Sequence, residues 1–514
     1  MQKILTAVFL LVATNTFAQV PEDAVRFSWY PQNGTARALA IGGAIGSLGG
    51  DITSNFVNPA GIGFYRTNEA TISSGFALSS IKTNYRSTTL TEKKQAYNFA
   101  PAGVVIAVPN YFDEKKSSAF SFAVTQNANF NNIVHFRGLN NYSSYSEQFA
   151  EEFSGLKTSI DNVLNSNSIA PFTAATALYT YLIDTVSNGG VTIVKGAPEY
   201  ILDAGQALQQ EMTKTTKGGF YELAFTYAGT DYKKIFWGVS LGIPIINYES
   251  NTVFSETDTS ANTNNRFKSF SFNDNFTTKG AGLNAKIGVI YRPQDYIRIG
   301  LAVHTPSYMA LSDSRQTSLQ TELENPVGNF NVSSDIFTEG KRGVARYIQS
   351  SPLKIIASGS YVFREVEDVT KQKGFISADI EFVNHKGSRF SSDAEKPTVD
   401  DQAYYKSLNN VVKDIYKGNI NAKLGGEVKF NTIMARLGFG YYGSPYKDQP
   451  VKANKTTMSG GLGYRNKGFF VDLTYVYLVN NAFNIPYRVQ NLQNVYAAIK
   501  QQTSNVVATV GVKF

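Results

Sequence analysis

Residues 505–514 read NVVATVGVKF and run to the last position of the chain. Val506, Ala508, Val510, Val512 and Phe514 share one face of an extended segment, and Asn505, Thr509 and Lys513 lie on the other. Strand side chains alternate between faces with a period of two, so this is a strand with one apolar face and an aromatic end. A transmembrane β-barrel needs strands of this kind, apolar toward lipid and polar toward the lumen over about ten residues.

The same alternation recurs upstream. Ile376, Ala378, Ile380 and Phe382 alternate with Ser377, Asp379 and Glu381, and Ile420, Ala422, Leu424, Val428 and Phe430 with Asn419, Asn421, Lys423, Glu427 and Lys429. Ile297, Ile299, Leu301 and Val303 flank Arg298, and Val471, Leu473, Tyr475 and Tyr477 flank Asp472 and Thr474. A soluble sandwich or propeller also alternates, but it turns its charges toward water. Here the apolar face recurs in strand after strand with the charges opposite it, which suits a barrel with a polar interior. Fourteen antiparallel strands are expected, near 69–80, 97–109, 118–129, 218–230, 234–254, 264–292, 296–308, 350–364, 373–384, 416–429, 431–443, 453–465, 468–480 and 502–514. An even number returns both termini to one side of the membrane.

Composition agrees. Tyr (30) and Phe (35) dominate an aromatic content of 13%, as an aromatic girdle requires. There is no Cys, so an exported chain of this composition holds together by hydrogen bonding and packing alone. The net charge is +8, yet no Lys/Arg cluster carries a nucleic-acid motif, and no nucleic-acid partner is expected. Lys3, the apolar run Ile4 to Val12 and the small residues Thr16 and Ala18 read as a signal peptide over 1–18, cleaved near Ala18. That run is too short to span a bilayer, and no later stretch reaches 18 apolar residues.

Two regions break the strand pattern. Residues 19–68 contain NGTARALAIGGAIGSLGGD and SNFVNPAGIGFYR. The glycines Gly42, Gly43, Gly46, Gly49 and Gly50 do not make a phosphate loop, because no strand precedes them and no Gly-Lys-Ser/Thr follows. A compact plug inside the lumen is the better reading. Residues 130–217 are expected outside the cell and partly helical. Ser144 to Glu147 can form a capping box, with Tyr145, Phe149 and Phe153 on one helical face. Pro171 and Pro198 can start two further helices, the last running to about Met212.

The run Gly34-Thr35-Ala36-Arg37-Ala38, then Gly42-Gly43-Ala44, Asp51 and Asn58-Pro59-Ala60-Gly61, resembles the N-terminal hatch of the FadL family. That family comprises outer-membrane transporters of long-chain fatty acids and aromatic hydrocarbons. Asn58, Pro59 and Ala60 match its recurrent hatch motif. KGAGLNAKIGVIYRP, IRIGLAVHTP, ISADIEFVN and SGGLGYRNKGFFVDLTYVYL also look like the family. The resemblance implies a fourteen-stranded barrel over 69–514, a hatch over 19–68 and a monomer. It also implies capture of a hydrophobic molecule outside, rearrangement of the hatch, and lateral exit at an inward kink of the third strand. That kink would fall near Ser118 to Asn129, where Gln126-Asn127-Ala128-Asn129 interrupts the pattern. The alternative within the resemblance is a non-transporting barrel that scaffolds protein secretion or surface attachment.

Arg298, Lys423 and Arg436 are candidate lumen contacts for a ligand carboxylate, and Phe149 and Phe153 are candidate apolar contacts above the mouth. Such cations, with Lys286, also suit pairing with lumen acids such as Asp379, Glu381, Glu427 and Asp472. His135, His304 and His385 share no metal-ligand spacing, and no nucleophile is paired with a base. Asp393, Glu395, Asp400 and Asp401 lack a calcium-loop spacing. No enzyme activity, cofactor or metal is expected. The expected partners are outer-membrane lipid and lipopolysaccharide, a hydrophobic small molecule, and the barrel assembly machinery, which reads the last strand. Deleting Phe514 should lower the amount of heat-modifiable, surface-exposed barrel severalfold. Normal surface levels of the truncated chain would contradict that role.

Overall fold

A computed structural model describes every residue except 1–20, 111–112, 114–115, 261, 325–326, 364–372, 448–452 and 491. The expected signal peptide and its cleavage point lie outside the described residues.

Fourteen antiparallel wall strands form one closed sheet. They are β1 (Glu69–Tyr85), β2 (Thr88–Phe99 and Ala102–Pro109), β3 (Ser117–Asn129 and Asn132–Asn140), β4 (Leu208–Asp231) and β5 (Ile235–Asp258). Then come β6 (Ser269–Gln294), β7 (Ile297–His304 and Tyr308–Leu323), β8 (Gly343–Ser350 and Lys354–Phe363) and β9 (Gly374–Asn384 and Arg389–Ser392). The last five are β10 (Gly418–Phe430), β11 (Ile433–Tyr442), β12 (Lys455–Asn466), β13 (Phe469–Asn484) and β14 (Ala497–Lys513). The sheet closes where β1 pairs with β14, from Glu69 opposite Lys513 to Asn84 opposite Ala498. Closure removes the free edges that a bilayer cannot hydrate.

The outer face is the apolar one. Ile72, Phe76 and Leu78 on β1, Ile376, Ile380 and Phe382 on β9, and Val506, Val510 and Val512 on β14 all point outward and are exposed. Their alternates Asp379, Glu381, Lys423 and Thr509 are buried inside. The barrel is therefore a transmembrane one, with the polarity of its two faces reversed relative to a soluble sheet.

The strands differ from expectation mainly in length. Residues 88–96, 132–140 and 309–323 are strand where none was expected, and 208–217 is strand where a helix to about Met212 and then loop were expected. The irregular region therefore runs from about 141 to 207 rather than 130 to 217. Its first helix, Tyr145–Leu156, carries the expected capping box, and Ser144 N donates to Glu147 Oε1 at 2.7 Å. The expected helix from Pro198 stops at Asp203, because Gly205 takes a left-handed conformation and β4 begins at Leu208. The acidic segment after β9 is partly a helix, Val399–Ile415. Thr398 and Asp401 form its capping box, so Asp401 serves the helix start.

Two apolar cores fill the barrel end opposite Glu69 and Phe514. Phe149, Phe153 and Leu178 pack with Phe254, Phe270 and Phe272 from the long strands. Tyr405, Leu408 and Val412 reach inward onto Ala24, Val25 and Phe27. Below them, residues 31–68 lie against the inner wall. Ala36, Ala38, Ala40, Ala44, Val57 and Ala60 are at most 1% exposed. Glycine in the wall permits this approach: a Cβ at Gly438 would overlap Gly42 N, and one at Gly288 would overlap Asn58 Oδ1. Gly288→Val should cost the docked segment about 1–3 kcal/mol, the usual penalty of overpacking. Protease should then cut residues 21–68 faster while the barrel stays heat-modifiable; unchanged cutting would show that the contact is not tight.

Candidate functional site

The N-terminal segment is held by its own turns and by the wall. Thr35 caps the helix Ala36–Ala40 by accepting from Ala38 N, and its hydroxyl donates to Asp51 Oδ2 at 2.8 Å. Asp51 also accepts from Thr53 N at 2.9 Å, so one carboxylate folds the segment back on itself. Asn58 does the same for the turn Pro59–Phe64. Its Oδ1 accepts from Ala60 N, and its Nδ2 donates to Gly46 O at 2.6 Å. The expected motif Asn58-Pro59-Ala60 thus stands against β5 and β6, with Pro59 over Gly238 and Asn58 over Gly288.

Wall side chains satisfy the segment's backbone. Ser459 donates to Ala40 O, Thr474 to Ala36 O, and Asp379 accepts from Gly46 N at 3.0 Å. Arg298, a candidate ligand contact, donates to Leu48 O at 2.6 Å and lies over the Phe64 ring. His304 bonds Val57 O at 2.8 Å. Buried backbone groups need partners, and here the barrel supplies them.

The other candidate cations sit in ion pairs. Lys423 lies 3.3 Å from Glu381, which Lys354 also approaches at 3.6 Å. Arg436 joins Glu427 at 2.6 Å and Asp472 at 2.5 Å. Lys286 pairs with Glu222. Lys286, Lys354 and Lys423 gather with Glu222 and Glu381 in one charged cluster, and Lys286 and Lys354 line the same cavity, whereas Arg436 stands with Glu427 and Asp472. Phe149 and Phe153 lie far from them, in the apolar core under the helix Tyr145–Leu156.

One part of the wall is not sealed by a ladder. The segment Ala102–Pro109 of β2 pairs with β3 from Ala102 opposite Val124 to Pro109 opposite Ser117. Above it, Thr88–Phe99 pairs with β1 alone, and Asn132–Asn140 pairs with β4 alone. The break has local causes. Pro101 has no N–H to give a ladder. The register of β3 against β4 slips between Gln126 and Ala128, leaving Asn127 as a bulge. The polar run Gln126 to Asn129 marked this point in the sequence.

Side chains bridge the seam instead. Phe99 N donates to Gln126 Oε1 at 3.0 Å, and Asn129 Nδ2 donates to Tyr97 O at 2.8 Å. Asn33 of the N-terminal segment donates to Phe99 O at 3.0 Å and to Gln126 O at 2.7 Å, one carbonyl on each side. Sequence reasoning missed Asn33, because a single Asn in a turn-like PQNG run carries no distinct signal. It also missed His135, which stands on β3 rather than in a loop. His135 contacts Glu92 of β2 at 2.8 Å and Glu211 of β4 at 2.7 Å.

A cavity of about 60 Å³ lies behind the seam, lined by Phe27, Tyr30, Phe56 and Phe220 together with Asn127 and Lys286. Drug-sized ligands occupy roughly 300–1,000 Å³.

No family model matches the chain, and no curated protein matches it. Solved structures do. A FadL homologue of Pseudomonas aeruginosa superimposes with a TM-score of 0.51 at 12% identity, covering 94% of this chain and 98% of that one. The fold is that of a FadL-type barrel. The deltaS2S3 mutant of TodX, a monoaromatic hydrocarbon channel of Pseudomonas putida, gives a TM-score of 0.50 at 12% identity over 94% of this chain and 100% of that one. At such identity the likeness establishes architecture.

The seam carries its own pH dependence. Glu92 pairs with Ile81, beyond Leu78, the last large apolar outward residue of β1, so the His135 cluster stands outside the membrane band. Burial works against a charged His135 ring, but the Glu92 and Glu211 carboxylates outweigh it and raise its pKa above the ordinary value. A raised histidine pKa stabilises the folded form at low pH. The contribution is full below about 6.5 and is lost as pH rises through the raised value. Hydrogen exchange at 132–140, corrected for intrinsic rates, should therefore quicken as pH rises through that value, and His135→Gln should abolish the change. Equal protection across that range would refute the clamp.

Proposed function

We propose that this protein is an outer-membrane channel for uptake of hydrophobic compounds, with residues 21–68 as its hatch and the β2–β3 seam as a lateral exit. The observation that carries this reading is Asn33, a plug residue whose amide bridges the two strands at the place where their ladder fails. A general porin needs an open water-filled bore, whereas here wall residues of β7, β9, β12 and β13 hydrogen-bond the backbone of residues 36–57, which supports a plugged lumen. An apolar solute gains little from a watery path and partitions favourably into lipid. A sideways exit delivers it there directly. The likeness to barrels named as a FadL homologue and an aromatic-hydrocarbon channel supports the same class of cargo. Fatty acids and aromatic hydrocarbons both fit an apolar route.

Glu69 and Phe514, where the first and last strands meet, lie at the periplasmic end in this reading, and the helical regions 141–207 and 393–417 cover the extracellular mouth. Passage requires the hatch to move, because the cavity beside it is too small for such cargo. The lumen ion pairs then hold the wall's shape while the segment's backbone bonds to Ser459, Thr474, Asp379 and Arg298 are exchanged.

The chain has no Cys, so paired cysteines can be introduced cleanly. A short thiol crosslinker between Cys replacements at Tyr97 and Asn129 should abolish uptake of labelled long-chain fatty acid or toluene by cells, with recovery on cleaving the linker. Mass spectrometry of apolar molecules extracted from the purified protein identifies the class carried. Undiminished uptake with the seam crosslinked would exclude lateral exit. A protein that binds neither cargo would be a scaffold for protein partners instead.

A further inference from the structure

Like charges gather on the outer surface where the sheet closes. Lys82 on β1 and Lys500 on β14 stand directly opposite each other in the ladder. Lys93 on β2 lies on the diagonal from Lys82, which pairs with Thr91. Lys82 shares its face with Leu78, Lys500 with Val506 and Lys93 with Tyr97, so all three point outward, and all three are exposed. Among the described residues no ion pair or hydrogen bond holds any of these ammoniums. Their outward neighbours are neutral: Ser80 and Asn84 on β1, Thr91 and Gln95 on β2, Gln502 on β14 and Asn481 on β13. Glu92, next in sequence to Lys93, takes the other face of β2 and contacts His135 at 2.8 Å.

Like charges directly opposite on paired strands are destabilising. The fold therefore gains nothing from the Lys82–Lys500 couple, whereas an anion seated between the two turns repulsion into attraction. Height identifies what carries that anion. Leu78, Val506 and Tyr97 are the last large apolar residues on the outward faces of β1, β14 and β2. Lys82 and Lys93 each stand four residues beyond that line. At a rise of about 3.3 Å per residue this is roughly 13 Å along a tilted strand. A lysine stem lies back along the wall and returns its ammonium toward the headgroup layer. The surface below is apolar and meets acyl chains.

The geometry points to a binding site for one lipid A-type glycolipid of the extracellular leaflet, held by a phosphomonoester among Lys82, Lys93 and Lys500. That this end of the barrel is extracellular rests on the outer-membrane reading above. A phosphomonoester carries close to two negative charges at pH 7 and presents three acceptor oxygens, one for each ammonium. A phosphodiester headgroup carries a single charge and leaves most of the repulsion in place. Thr91, directly opposite Lys82, offers its hydroxyl to the sugar. The acyl chains lie along Phe76, Leu78 and Val506, which are exposed. Scattered basic residues near a membrane interface are a general feature. The opposed couple without a neutralising acid is what makes this place a site.

Native mass spectrometry of the full purified protein in detergent tests the site. The probes are bisphosphoryl lipid A, the same lipid A with both phosphates removed, and phosphatidylglycerol, each at equal concentration. One retained bisphosphoryl lipid A is expected, held about tenfold or more tightly than either other lipid, since each lysine near an anionic surface is worth about fivefold. Lys82→Gln and Lys500→Gln should each weaken retention about fivefold. Lys268→Gln, at an exposed lysine already paired with Glu322, should leave it unchanged. In lipid-free detergent Lys82→Gln should unfold at a temperature no lower than the wild type, because it relieves repulsion, which separates loss of lipid from loss of fold. Equal retention of the three lipids, or of none, by the wild type overturns the proposal. So does binding that survives the double variant Lys82→Gln with Lys500→Gln, or an equal loss in Lys268→Gln. Displacement of the lipid by millimolar inorganic phosphate would mark a free-anion site and overturn it as well. The readout involves no transported cargo. Failure of uptake in the crosslinked-seam experiment therefore leaves this result standing, and failure here leaves uptake standing.

Discussion

Every backbone N–H and C=O in a bilayer needs a partner supplied by the protein itself, and this requirement organises the molecule. It forces the strands into a closed sheet, since an open edge in hydrocarbon leaves a row of groups each costing several kcal/mol. It gives the seam its character as well. Where the β2–β3 ladder stops, the carbonyls of Tyr97, Phe99 and Gln126 are met by side-chain amides of Asn129 and Asn33. A side-chain amide can withdraw without dismantling a strand, whereas a ladder hydrogen bond cannot.

The same accounting governs the interior. Residues 21–68 contain short helical turns whose ends leave donors and acceptors unpaired. Thr35, Asp51 and Asn58 satisfy some of them within the segment, and Ser459, Thr474, Asp379, Arg298 and His304 satisfy others from the wall. Apolar contact comes from small side chains against wall glycines rather than from large ones. A segment held by exchangeable polar contacts on a smooth surface can shift without leaving large cavities behind.

The strand faces were legible in the sequence because lipid and lumen demand opposite polarity at alternate residues. Ile376 to Phe382 and Ile420 to Phe430 face as that pattern requires. Strand extent was not legible, since beyond the membrane both faces of a strand can be polar. TTLTEKKQ at 88–95 lacks an apolar face and was not among the expected strands, yet it forms strand against β1. The helix Val399–Ile415 had a readable start at Thr398 and Asp401 and an apolar stripe at Tyr405, Leu408 and Val412, but the acids around it drew attention to cation binding. Of the site, the polar run at Gln126 to Asn129 announced the irregularity in β3, and the lumen cations announced their charge. Their partners, and Asn33 above all, depend on strands distant in sequence meeting across the lumen, which local pattern does not encode.

Asn33 has one further consequence. Its amide belongs to the plug, and both carbonyls it serves belong to the wall, so withdrawal of the plug and release of the seam share a free-energy term. Thermodynamic linkage of this kind is reciprocal. In the proposed channel, a compound that displaces the N-terminal segment from above would loosen the seam, and one that wedges the seam from the bilayer would loosen the segment by the same amount. The interlock by itself has no direction: in the proposed channel, net flow would follow the gradient of the solute, inward or outward, and the wall would act as a valve for leakage without acting as a pump.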